Sequence, residues 1–185
     1  EDTMPGELAN VVSGRVANLL DLQGPNHAMD AACASSMAAV LDACRLLQAR
    51  QVDTMLAGAS DRTMDPATFA KFSAIGALSA THSTPFDAKA NGFVMGEGAG
   101  VLVIESLEHA QARGARIYCE LAGYGATCDA YHITGQDQEG KGLALCLNRA
   151  LAEAGIEKSE VGYINAHGTS TPINDRCETL AIKRC

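Results

Sequence analysis

The chain has 185 residues, enough for one ordinary domain with a good core, and 47% hydrophobic against 19% charged residues places it among globular proteins rather than disordered ones. A net charge of −8 argues against nucleic acid as the partner, because neutralising phosphates takes a surplus of Lys and Arg, but it leaves open an acidic protein that docks on a local basic patch. No stretch approaches the roughly 18 uninterrupted apolar residues of a membrane span, and no signal-peptide pattern is present.

In chain order, Asn26 to Ala32 reads as a short buried strand. From Ala34 the apolar positions Met37, Val40, Leu41, Cys44 and Leu47 recur at helical spacing, which predicts a helix to about Arg50. Asp53 to Ser60 is a second apolar strand, and Thr63 to Ala90 is polar and irregular, with a short helix and surface loops. GFVMGEGAGVLVIES reads as strands interrupted by glycine. Ser106 to Arg113 is a short capped helix with Gly114 after its end. ARIYCELAGYGAT is a further strand, CDAYHITGQDQEGKG a polar loop, and Leu143 to Ala154 a helix that stops at Gly155. Val161 to His167 is a buried strand, followed by a turn and a last helix from about Asp175. Strands alternating with helices, plentiful Gly and scarce Pro predict an α/β protein with a largely parallel or mixed sheet. Both ends read as cut: residue 1 is Glu, and DRCETLAIKRC stops inside a helix, so a piece of something longer is expected.

Seven cysteines without any C-x-x-C pair support neither a zinc ribbon nor a thioredoxin-type site, and scattered thiols fit a reducing cytosol. One of them, Cys33, stands at a predicted strand-to-helix turn among Ala31, Ala32, Ala34, Ser35 and Ser36. Unpaired N–H groups and the positive end of the helix dipole favour a thiolate there, and small neighbours leave room for an acyl group. Taken alone, these residues are explained more readily by packing of a small hydrophobe. His167 ends a predicted strand, where ligands collect in α/β sheets, although a loop histidine reads the same way. Together a Cys and a His at two strand ends form a pair with a mechanism.

Competing motifs fail on content. The Cys-to-His spacing suits a papain-type peptidase, but the Gly and aromatic neighbours its cysteine requires are missing from DAACASS. MGEGAG does not meet the G-x-G-x-x-G spacing, and a strand rather than a helix follows it. His27, His82 and His109 lack ligand-like spacing, His132 is expected to be solvent-exposed in its loop, and no metal site is supported.

DAACASS, PFDAKANGFVMGEGAGVLVIESLEHAQARGARIY, DAYHIT and INAHGTSTPINDRCETLAIK, taken together and in this order, resemble the β-ketoacyl-acyl-carrier-protein synthases, most strongly the elongating synthase II type. The resemblance implies a thiolase-like, layered α-β-α-β-α architecture of two similar halves, only partly covered here. Residues 1–114 would be the later part of the first half and 115–185 the start of the second. Cys33 matches the nucleophile that takes the acyl chain as a thioester. His167 matches the first of two histidines that stabilise the enolate left when malonyl loses carbon dioxide. Thr169 and Thr171 match positions that hydrogen-bond the phosphopantetheine arm, Phe72 an aromatic lining the acyl pocket, and Glu178 a carboxylate that orders the site by pairing with a lysine.

The family's second catalytic histidine, that lysine and a Gly-Phe-Gly-Gly loop would lie beyond Cys185. The implied activity is decarboxylative Claisen condensation in fatty acid biosynthesis, with no cofactor, since the substrates ride on the phosphopantetheine of acyl-carrier protein. Acyl-carrier protein is the implied partner, a cytoplasmic homodimer the implied assembly. DAACASS departs from the commoner Thr-Ala-Cys-Ser-Ser, which admits a polyketide or polyunsaturated-fatty-acid ketosynthase. A non-catalytic chain-length-factor-like partner is a further alternative, disfavoured by the presence of both Cys33 and His167.

Overall fold

The computed structural model describes residues 3–62 and 64–185. In chain order these form helices α1 (Thr3–Glu7) and α2 (Asn10–Leu19), a 3₁₀ turn (Ala32–Ala34), α3 (Ser35–Gln48), strand β1 (Thr54–Asp61), α4 (Pro66–Ala74), β2 (Gly98–Glu105), α5 (Leu107–Ala112), α6 (Lys141–Ala154), a second 3₁₀ turn (Lys158–Glu160) and α7 (Pro172–Arg184). They make two compact units, one from the residues up to Asp61 with Gly98–Tyr118, the other from Arg62–Glu97 with Cys119–Cys185.

In the first unit α3 lies on β1. Its apolar positions Val40, Ala43, Cys44 and Leu47 fall three or four residues apart, so they share one face. That face meets Met55 and Ala57 of β1 and Ile104 of β2, with Ala43 and Ala57 buried. Two alanines at the contact allow the helix to approach the sheet closely. Among the described residues the sheet has two strands, β1 and β2, joined antiparallel from Thr54↔Glu105 to Asp61↔Gly98, a pairing that a mixed sheet admits and a purely parallel one does not. An antiparallel partner needs no crossover helix within the sheet, and here the chain between the strands belongs to the other unit. The ladder begins only at Gly98, so the preceding GFVMGE carries no strand, and its one bridge, Leu78↔Phe93, is parallel and isolated.

The end of β2 is held by charge. The Glu105 carboxylate, 9% exposed, accepts from Arg113 Nε at 2.7 Å and from Arg113 Nη2, and lies 2.7 Å from His109 Nδ1. Helix α5, which carries His109 and ends just before Arg113, starts on a Ser106 cap, whose Oγ accepts from His109 N. Arg113 foremost, with His109, pulls the Glu105 carboxyl down to about 2 from an ordinary 4.5. The stabilisation is therefore complete above pH 4.5 and drains away as pH falls towards 2. Urea unfolding of the wild type should show its midpoint falling between pH 5 and 3, and Glu105→Gln should lose part of that slope, the rest belonging to Asp65, Asp137 and Glu139, whose carboxyls are also held down by their hydrogen bonds. An unchanged slope in the variant would contradict the clamp.

The second unit opens with α4, capped by Asp65, whose Oδ1 accepts from Ala67 N (2.8 Å) and Thr68 N (3.1 Å). Helix α6 ends at Gly155 (φ +67), where the sequence predicted its stop. Helix α7 begins at Pro172, ahead of the expected Asp175, because proline suits the first turn of a helix and its missing N–H costs nothing there. Its inner face is unusually polar: Asn174, Asp175 and Glu178 are buried beside Cys177 and Ala181. The start of α6 rests on that face, with Gly140 against Cys177 and Ala181.

Three predicted strands, Asn26–Ala32, ARIYCELAGYGAT and Val161–His167, carry no ladder. Strand-like sequence fits a pleated surface, but a strand exists only through a hydrogen-bonded neighbour. The part of the second segment around Tyr124 lies instead along α6. Tyr124 N donates to Glu153 (3.0 Å), Gly125 O accepts from Cys146 Sγ (3.1 Å), and Ala126 O accepts from Arg149 Nη1 (2.8 Å). A Cβ on Gly125 would sit 2.0 Å from Cys146 O, so the approach requires glycine.

Candidate active site

Cys33 sits in the 3₁₀ turn that leads into α3 and is exposed. The residue before it, Ala32, has φ +48, a left-handed conformation that L-residues other than Gly seldom adopt. Two side chains hold it there. Asp30 Oδ1 accepts from Ala32 N (2.9 Å), while Ser35 Oγ accepts from Ala31 N (2.9 Å) and donates to Ala32 O (2.7 Å). A sharp, over-determined turn thus leaves the thiol open at the start of a 14-residue helix.

The other candidates lie in the second unit. His167 is exposed, and its backbone N–H donates to Glu178 Oε1 at 2.6 Å. Gly168 N donates to Glu178 Oε2 at 2.9 Å, and Asn174 Nδ2 reaches the same oxygen at 3.4 Å. Glu178, itself 6% exposed, is therefore a buried acceptor for the histidine's own backbone. Three N–H donors leave about one of a carboxylate's four lone-pair sites unused. Beyond Gly168 the hydroxyls of Thr169 and Thr171 pair at 2.7 Å. Phe72, on α4, stacks edge-on to Phe93 with centroids 5.5 Å apart. His132 is exposed, as expected, and its Nδ1 accepts from Thr134 N and Gly135 N. The same loop is tied to α7 where Gln136 Nε2 donates to Asn174 Oδ1 (2.9 Å).

The thiols differ in what they can do. Cys177 is buried on α7, and burial pushes its thiol up, which keeps it protonated and inert. Cys33 can be reached. Sequence reasoning passed over Asp30, Ser35, Asn174 and Asp175. For Asp30 and Ser35 a local signal existed, since Asp and Ser beside a tight turn bond neighbouring backbone. For Asn174 and Asp175 the signal lay in distant chain: Asp175 Oδ2 accepts from Phe86 N at 2.7 Å.

Chemically, the first unit offers an accessible sulfur nucleophile. The second offers an imidazole on a rigid turn beside a hydroxyl pair.

The family description "Beta-ketoacyl synthase, N-terminal domain" matches residues 1–110, and "Beta-ketoacyl synthase, C-terminal domain" matches residues 118–185. The chain is 45% identical to the mitochondrial 3-oxoacyl-[acyl-carrier-protein] synthase of Arabidopsis thaliana, over 97% of this chain and 41% of that protein. It is 44% identical to 3-oxoacyl-[acyl-carrier-protein] synthase 2 of Rhizobium meliloti, over 98% of this chain and 44% of that one. It spans less than half the length of these relatives. Among solved structures, a type II PKS acyl-carrier protein in complex with its ketosynthase bound to the hexaketide matches with a TM-score of 0.93 and 37% identity, over 97% of this chain and 46% of that one. A beta-ketoacyl synthase from Burkholderia phymatum matches at 0.88 and 35%, over 95% and 44%.

Proposed function

The chain belongs to the β-ketoacyl synthase family, and on that premise we propose that it works as a 3-oxoacyl-acyl-carrier-protein synthase of fatty acid biosynthesis. Its fold is the α/β, thiolase-like fold of the ketosynthases. The observation that carries the proposal is 44–45% identity to 3-oxoacyl-[acyl-carrier-protein] synthases across nearly the whole chain.

In the proposed reaction the Cys33 thiolate attacks an acyl thioester on the carrier, and the carrier's thiol leaves. Malonyl thioester then enters. Its carboxylate departs as carbon dioxide, and the electron pair of the broken bond becomes an enolate. Neutral His167 donates a hydrogen bond to the thioester oxygen, where that charge develops. The enolate carbon attacks the acyl-Cys33 carbonyl and expels the thiolate, giving a 3-oxoacyl thioester on the carrier. Glu178 orders the turn that carries His167 and keeps an acceptor site for the lysine implied by the family. Thr169 and Thr171 hold the phosphopantetheine arm, and Phe72 lines the acyl pocket. No cofactor takes part. Acyl-carrier protein is the proposed partner, a cytoplasmic homodimer the proposed assembly, and residues 1–114 and 115–185 the proposed parts of the two halves. No helix among the described residues is long and apolar enough to cross a membrane.

A second reading, a polyketide ketosynthase, is favoured by the 37% likeness to the type II PKS ketosynthase complex. Product length separates the two, since a polyketide enzyme would extend without reduction between steps.

The test of the covalent step is direct. Incubation of the intact protein with a radiolabelled acyl-acyl-carrier-protein, followed by digestion, should place the label on the peptide that contains Cys33. Label on another residue, or none, would overturn the reading.

A further inference from the structure

Ser170 stands between the two threonines and has no part in the reaction so far. It is 0% exposed, and its φ of +63 is left-handed. Every polar group it owns is engaged. Its N–H donates to Asp175 Oδ1 (3.2 Å), its carbonyl accepts from Gly92 N (2.8 Å), and its Oγ accepts from Thr84 N (2.9 Å). Two of these bonds reach the 84–92 segment, and one reaches α7. The far side is equally constrained. Phe86 is also left-handed (φ +62), with its N–H on Asp175, and Pro85 and Phe86 pack against Gly168.

The conformation of Ser170 has a consequence for its neighbours. In an extended chain, side chains two residues apart sit about 6.6 Å from one another. Here the hydroxyls of Thr169 and Thr171 are 2.7 Å apart, because the left-handed residue between them folds the chain back. Once paired, the two hydroxyls retain one free O–H and several acceptor lone pairs, the complement of a secondary amide's C=O and N–H.

We propose that Ser170 is a positioning residue for substrate binding: by bonding its turn to the 84–92 segment, it holds Thr169 and Thr171 as one paired unit that receives an amide of the carrier's phosphopantetheine arm. This rests on the reading that those threonines bind the arm. Ser170 touches no substrate itself.

The test compares Ser170→Ala and Ser170→Gly in the intact protein with two probes, malonyl-acyl-carrier-protein and a small malonyl thioester that lacks amides. Glycine adopts φ +63 without strain, so it reports on the lost hydroxyl should the alanine variant unfold. Decarboxylation of the carrier-bound probe should show a KM raised about tenfold with kcat within about twofold, whereas KM for the amide-free probe stays unchanged. Adding Thr169→Val to either variant should raise KM no further, because both changes remove one interaction. Equal losses on both probes, a fall in kcat alone, or additive effects would overturn the role of Ser170. If Thr169→Val by itself leaves KM unchanged, the arm-binding reading fails first, and that result is distinguishable from an inert Ser170 beside a sensitive Thr169.

Discussion

Cys33→Ala should remove the acyl-enzyme entirely and lower condensation at least about 10³-fold, since the Cys33 sulfur is the proposed acyl acceptor. The substitution is gentle on the fold. Alanine joins Ala31, Ala32 and Ala34, and the bonds that shape the turn come from Asp30 and Ser35 rather than from the thiol. Decarboxylation of malonyl thioester should persist, because its proposed machinery lies on His167. Intact-protein mass spectrometry after exposure to acyl-carrier-protein thioester reads the first effect, and carbon dioxide release reads the second. Acyl mass retained by the variant, for example on exposed Cys119 or Cys128, would show that Cys33 is not the acceptor.

The second large effect belongs to His167. His167→Ala should lower decarboxylation by about 10²- to 10³-fold, the size expected when one oxyanion donor is lost, while acylation of Cys33 proceeds. Glu178→Ala should move in the same direction by a different route. It leaves the N–H groups of His167 and Gly168 without their buried acceptor, at about 1–3 kcal/mol each, and frees the turn. Glu178→Gln keeps one carbonyl oxygen but aims an NH₂ at a neighbouring donor, so it should fall between wild type and alanine. Loss of both half-reactions in parallel would point to unfolding rather than to positioning, and thermal melts of each variant separate the two.

What the sequence foretold follows the range of the forces involved. Helices α3, α5 and α6 were legible within a few residues because their signals are local: apolar spacing, the Ser106 cap and the Gly155 stop. β1 and β2 were visible as apolar runs, but not their antiparallel pairing, which depends on where the chain returns after residue 97. Three other strand-like segments remain unpaired, since pairing is a property of two segments and only one was in view. Val101, Leu102 and Val103, whose unbroken apolar run suggests burial on both faces, are each more than half exposed.

The site divides in the same way. Cys33 and His167 are proposed from residue type and neighbours alone. The left-handed Ala32 has no such signal, because alanine carries no hint of φ > 0. Ser170 depends on Thr84, which lies 86 residues earlier in the chain. Glu178 also accepts from the backbone N–H groups of His167 and Gly168, donors that every residue but proline has and that composition therefore cannot flag.

The most direct test of the central claim is the carbon balance of a single turnover. The intact protein, preloaded with an acyl group and mixed with malonyl-acyl-carrier-protein, should release one carbon dioxide for each carrier-bound 3-oxoacyl chain formed, the new chain two carbons longer than the one loaded. Carbon dioxide released with no longer chain on the carrier, or the loaded acyl group recovered as a free acid, would contradict it.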